Sequence, residues 1–119
     1  MSIKLAPLTI VLLLVLTACA QKQPMDAPDW ALAVQTAETR EAHQDLAEHY
    51  EQVASKLLAQ ADEERSMLNK YIANPHKYGK RIQDLKAHAQ REIGDLELAA
   101  KESRQLAEYH RQLASEAIR

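Results

Sequence analysis

Residues 30–73 and 80–119 are two long stretches without proline in which apolar side chains recur three and four positions apart. That period lines them along one face of an α-helix, whereas a half-buried strand needs strict alternation. In the first stretch the face is Leu46, Ala47, Tyr50, Val53, Ala54, Leu57, Leu58, Ala61, Leu68, Tyr71 and Ile72. In the second it is Ile82, Leu85, Ala89, Ile93, Leu96, Ala99, Ala100, Leu106, Ala107, Leu113 and Ala114. Asn74-Pro75 forces a break between them, because a residue before proline avoids the helical region. Either Asn74 caps the second helix with Pro75 in its first turn, or the loop runs on through Gly79. At the other end Asp26 or Asp29 can cap the first helix, with Pro28 tolerated in its first turn. The expected fold is all-α: a long antiparallel two-helix hairpin over residues 30–119, with helices at about 30–73 and 80–119.

Composition agrees with that reading. The chain has no Phe, two Gly and one Trp, and its body is rich in the strong helix formers Ala, Leu, Glu, Gln, Lys and Arg. Only Gly94 weakens the interior of the second helix, by about 1 kcal/mol. The alanines Ala47, Ala54, Ala61, Ala100, Ala107 and Ala114 are small enough for two backbones to approach closely. Two helices cannot enclose a core on both sides, and Leu58, Ile72 and Ile93 widen the apolar stripe beyond a narrow seam. The hairpin is therefore expected to self-associate into a four-helix bundle or coiled coil, or to be covered by a partner protein.

The arms share a short repeat. Leu46-Ala47-Glu48-His49-Tyr50 with Gln52, Ala54 and Ser55 matches Leu106-Ala107-Glu108-Tyr109-His110 with Gln112, Ala114 and Ser115, sixty positions on. In a hairpin that turns near residue 76 or 77, residues whose numbers sum to about 153 face each other. That register puts His43 beside His110, and Arg65 with Glu64 beside His88. Two imidazoles with Glu41, Glu108 or Tyr109 nearby could hold Zn or Cu, with His88 as a further candidate ligand. No His lies four residues from another His and no Glu stands three residues before one, so the usual helical zinc and di-iron spacings are absent. The alternative is a hydrogen-bonded histidine pair in an alanine seam. The serines Ser55, Ser66, Ser103 and Ser115 sit on presumed helices with no strained turn and no Gly-rich anion cradle, so no catalytic activity is expected.

The N-terminus carries a different signal. Lys4 precedes an apolar run from Leu5 to Leu16, and Leu16-Thr17-Ala18-Cys19 closes it. The run is too short to span a bilayer and ends in small residues, as a cleavable targeting segment does. The segment resembles the lipobox of bacterial lipoproteins. The resemblance implies a signal peptide over 1–18 and a diacylglycerol on the sulfur of Cys19. Cleavage before Cys19 and acylation of its freed amine would follow. Three chains would anchor firmly where a single one binds marginally. By the sorting rules of enteric-type bacteria, Ala20 after the cysteine favours the outer membrane, facing the periplasm. The partner is then the lipid bilayer, reached through acylated Cys19. Residues 19–29, with Pro24 and Pro28, read as the lipidated Cys and a tether of at most about 35 Å. No cofactor is expected beyond that covalent lipid, the histidine site aside.

Over about residues 40–117 the body also resembles a group of small proteobacterial envelope proteins whose arms carry His-x-x-Leu-Ala and His-Arg-x-Leu-Ala. Here these are His43-Gln44-Asp45-Leu46-Ala47 and His110-Arg111-Gln112-Leu113-Ala114. The group brings no established activity. Its second late His and its His-Cys pair are replaced in this chain by Glu64 and by His88-Ala89.

Charge narrows the partners further. The chain has 17 acidic and 15 basic residues; losing residues 1–18 removes only Lys4 and leaves a net charge of −3, which gives no case for nucleic acid. The exception is the turn, where Lys70, Lys77, Lys80, Arg81 and Lys86 meet only Asp84. Lys80 and Arg81 near a helix N-terminus oppose its dipole, which points to a contact role for a tip made of Lys77, Tyr78, Lys80 and Arg81. The expected function is a membrane-anchored periplasmic hairpin with a binding or scaffolding role; the alternative is a periplasmic metal-binding or metal-stress protein.

Overall fold

A computed structural model of the chain describes residues 28–117. The candidate signal peptide, Cys19, Asp26, most of the tether and Arg119 lie outside the described residues.

Asp29 starts the first helix, α1 (Trp30–Thr36), by accepting hydrogen bonds from the backbone N–H groups of Ala31 and Leu32, each at 3.1 Å. The single helix expected over 30–73 is interrupted directly afterwards. Ala37 turns extended, and the Thr39 hydroxyl accepts from the Ala42 N–H at 3.1 Å to cap α2 (Arg40–Ala73). A threonine oxygen that satisfies a helix-start donor competes with a continuous helix at that point. The break also lets α1 fold back. Trp30 stacks on His49 at 4.0 Å between ring centroids, nine residues into α2 and so about 14 Å along it.

Asn74 ends α2 by leaving the helical region, which proline disfavours in the residue before it (φ −133°, ψ 58°). Its backbone N–H and its side-chain amide both donate to the carbonyl of Lys70, at 3.1 and 3.5 Å. Asn74 therefore closes the first arm and does not cap the second. The connection runs through Pro75–Arg81 as a 3₁₀ turn, kinked at Gly79 (φ 60°, ψ −145°), a conformation open to glycine almost alone. The second arm, α3 (Ile82–Glu116), follows.

The result is an all-α antiparallel hairpin of arms 34 and 35 residues long, each about 50 Å. All six alanines expected on the seam are buried, and Ala89 joins them. Ala47, Ala54 and Ala61 on α2, and Ala100, Ala107 and Ala114 on α3, repeat every seven residues, the spacing that keeps one stripe on a partner helix. Leu46, 1% exposed, is the one large side chain fully enclosed among the described residues. Its counterpart in the repeat, Leu106, is 44% exposed, and Ile72 is 55% exposed. Both were expected on the apolar face. Leu46 and Leu106 each directly precede a seam alanine, so the contact between the arms covers that flank on α2 and leaves it open on α3, where Leu106 stays exposed. With Leu98 and Tyr109 it leaves apolar surface on the outside of α3. No described helix is long and apolar enough to cross a membrane.

Candidate functional site

The buried seam of α3 reads Ala100, Ser103, Ala107, His110 and Ala114, alternating three and four apart with polar residues between the alanines. These polar positions find partners on α2. His43 and His110 face each other with their Nδ1 atoms 3.1 Å apart, and the Ser103 hydroxyl donates to the Tyr50 carbonyl at 2.8 Å. The Tyr50 ring lies nearly parallel to His110 at 5.6 Å, and Tyr109 meets it edge-on at 5.7 Å. His110 is thus enclosed by three rings and shielded from solvent.

Two neutral imidazoles can share such a contact only if one Nδ1 carries the hydrogen and the other offers its lone pair. A neutral pair bonded in this way requires opposite tautomers. Loss of water lowers the pKa of His110 below the usual histidine value, and the nearby His43 lowers it further. His49, against Trp30, is lowered by burial first and then by Lys56.

The repeat brings its own equivalent positions together. Tyr50 lies on His110, and Glu51 pairs with Arg111 at 2.9 Å, each sixty residues apart. Arg111 also reaches Glu108 at 3.4 Å. Lower on the hairpin, Arg65 joins Asp62 to Glu97 across the seam.

Of the candidate metal ligands, His43 and His110 meet and His88 does not. His88 is exposed and lies 22 residues down α3 from His110, about 33 Å away. Arg65, expected beside His88, is held by Asp62 and Glu97 instead. Glu108 is engaged with Arg111, and Tyr109 is 55% exposed. Among the described residues no group of three or more His, Cys, Asp or Glu is placed to hold a metal ion.

The tip divides in two. Lys77, Lys80 and Arg81 are exposed, and among the described residues no carboxylate reaches them within ion-pair distance. Tyr78 is half-buried, edge-on to Tyr71 at 4.8 Å, so it pins the turn and is not displayed with the cations. Cys19 lies outside the described residues.

The roles of Tyr50, Ser103 and Trp30 went unread in the sequence. The repeat held the signal for two of them: a sixty-residue offset carries His43 onto Ser103 and Tyr50 onto His110, the four residues of this layer. No family model, curated protein or solved structure matches the chain.

Proposed function

We propose that the chain is a lipoprotein of the bacterial envelope, anchored through Cys19 and of the outer-membrane type by its Ala20, whose periplasmic hairpin is a noncatalytic binding or scaffolding module. The anchor rests on the Leu16-Thr17-Ala18-Cys19 resemblance; what supports the binding or scaffolding role is the outward display of Leu98, Leu106 and Tyr109 on a hairpin whose seam is alanine. Small seam residues give close packing but little buried area, so much of the available hydrophobic stabilisation waits for a second surface. A second copy is the simplest cover, giving four helices.

Sedimentation of the chain across micromolar concentrations tests the assembly; a stable, fully helical monomer at high micromolar concentration would end self-association. Labelled palmitate tests the anchor. It should enter the wild type, and Cys19→Ser should lose both label and membrane attachment.

The His43–His110 contact favours a second reading, metal capture. At metal–nitrogen distances of about 2.0–2.1 Å, an ion equidistant from two nitrogens 3.1 Å apart would see them about 98° apart, within reach of a tetrahedral site. Water or a partner would fill the other positions. A stoichiometric zinc or copper titration that His43→Asn abolishes supports this reading, and weak nonspecific uptake removes it.

A further inference from the structure

The open end of the hairpin holds a cleft of about 390 Å³ lined by Arg40, Gln44, Arg111, Ala114 and Ser115. It combines a guanidinium from each arm. Arg111 is fixed across the seam by Glu51 at 2.9 Å and more loosely by Glu108 at 3.4 Å. Arg40 has no ion pair among the described residues, and its Nε is shut off from solvent with no hydrogen-bond acceptor. A buried donor left unmatched on a charged group is rare and calls for a partner.

We propose that this cleft binds a phosphate group. The Nε–H and one Nη–H of an arginine form an edge that matches two oxygens of an anion. A planar carboxylate fills one such edge, whereas a tetrahedral phosphate has oxygens left for the second arginine and for the neutral donors Gln44 and Ser115. The cleft falls within the usual size of a small-ligand site. Three carboxylates bear on it: Glu41, in the adjoining cleft that shares Arg40 and Gln44, and Glu51 and Glu108 on Arg111. The ligand meets the Nη groups of Arg40 first, and the shielded Nε–H joins them only once the side chain turns toward the cleft; displacing the long Glu108 contact then opens Arg111, while Glu51 keeps that guanidinium in place. Free phosphate and a phospholipid headgroup share this chemistry. The proposal stands on the cleft and not on the anchor, so it survives if Cys19 is never lipidated.

The test follows the Arg40 Nε–H resonance of the chain in phosphate-free maltoside micelles. One arm adds inorganic phosphate, a second adds short-chain phosphatidylglycerol, and sodium chloride at matched ionic strength is the reference. A saturable shift in the first arm supports recognition of the phosphate group itself, and a shift in the second alone supports a headgroup site. Arg40→Gln, followed through other backbone amides of the cleft, should weaken the affinity about tenfold or more. Should that variant lose helicity, Arg40→Lys, which keeps the charge and loses the fork, serves the same comparison. No saturable shift in either arm, a shift that chloride reproduces, or unchanged affinity in the variants overturns the proposal.

Discussion

The repeat supplies a matched pair of substitutions, Leu46→Ala and Leu106→Ala, at positions that are equivalent in sequence and opposite in burial. Leu46 is 1% exposed and Leu106 is 44% exposed. Removing the buried leucine loses its transfer free energy and leaves a cavity, together about 3 kcal/mol. Removing the other loses roughly half the transfer term and leaves no cavity, about 1 kcal/mol. Helix propensity differs little between Leu and Ala and cancels between the sites. With a urea slope of about 1.5 kcal/mol/M, the unfolding midpoint should fall by about 2 M for Leu46→Ala and about 0.7 M for Leu106→Ala. Circular dichroism at a low protein concentration reads both. Equal losses there would refute the one-sided core. Raising the concentration adds a second reading from the same samples: if a second copy covers Leu106, its penalty grows with concentration while that of Leu46 keeps its lead only in the monomer.

Other outcomes follow from the same geometry. Gly94→Ala should stabilise by about 1 kcal/mol, because a Cβ there meets nothing within 4 Å and alanine favours the helix; an unchanged midpoint refutes this. Gly79→Ala should cost about 1–3 kcal/mol through its positive φ, although the space around it is open. His110 and His49 have folded pKa values below the unfolded 6.5, so the unfolded chain takes up protons first. Their stabilising contribution is complete above 6.5 and is lost as pH falls from there through the folded values, at no more than about 1.4 kcal/mol per pH unit for each histidine. His110→Gln should flatten the denaturation midpoint between pH 7 and 5.5, and an equally steep profile in that variant would remove the histidine from the account. Changing Lys77, Lys80 and Arg81 together to Gln should leave helicity intact and weaken salt-sensitive retention on an anionic polymer column; identical retention removes the tip as a contact surface.

Much of the hairpin was legible because its signals are local and additive. Periodicity located both arms, Asn74-Pro75 located the turn, and simple register placed His43 against His110. The break at Ala37–Thr39 was harder to see: Ala31, Leu32, Ala33 and Val34 continue the apolar composition without interruption, and what separates α1 from α2 is a single threonine cap together with the stacking of Trp30 on His49. The cleft of Arg40 and Arg111 was invisible for a related reason. Its residues stand 71 positions apart and look like ordinary solvated charges until the arms are aligned.

That alignment is itself a physical problem for a seam of alanines. With Ala47, Ala54 and Ala61 facing Ala100, Ala107 and Ala114, sliding one arm by seven residues sets alanine against alanine again at little steric cost. The polar layer removes this degeneracy. A slide of about 10 Å would strip His43 from His110 and the Ser103 hydroxyl from the Tyr50 carbonyl, leaving buried polar groups unmatched. It would also part Arg111 from Glu51 and Arg65 from Glu97. Alanine therefore supplies closeness and the polar pairs supply register. A proton or a metal ion taken up between the two imidazoles acts on the very contact that holds the arms in step, which is how chemistry at this layer would reach the outer faces of the hairpin.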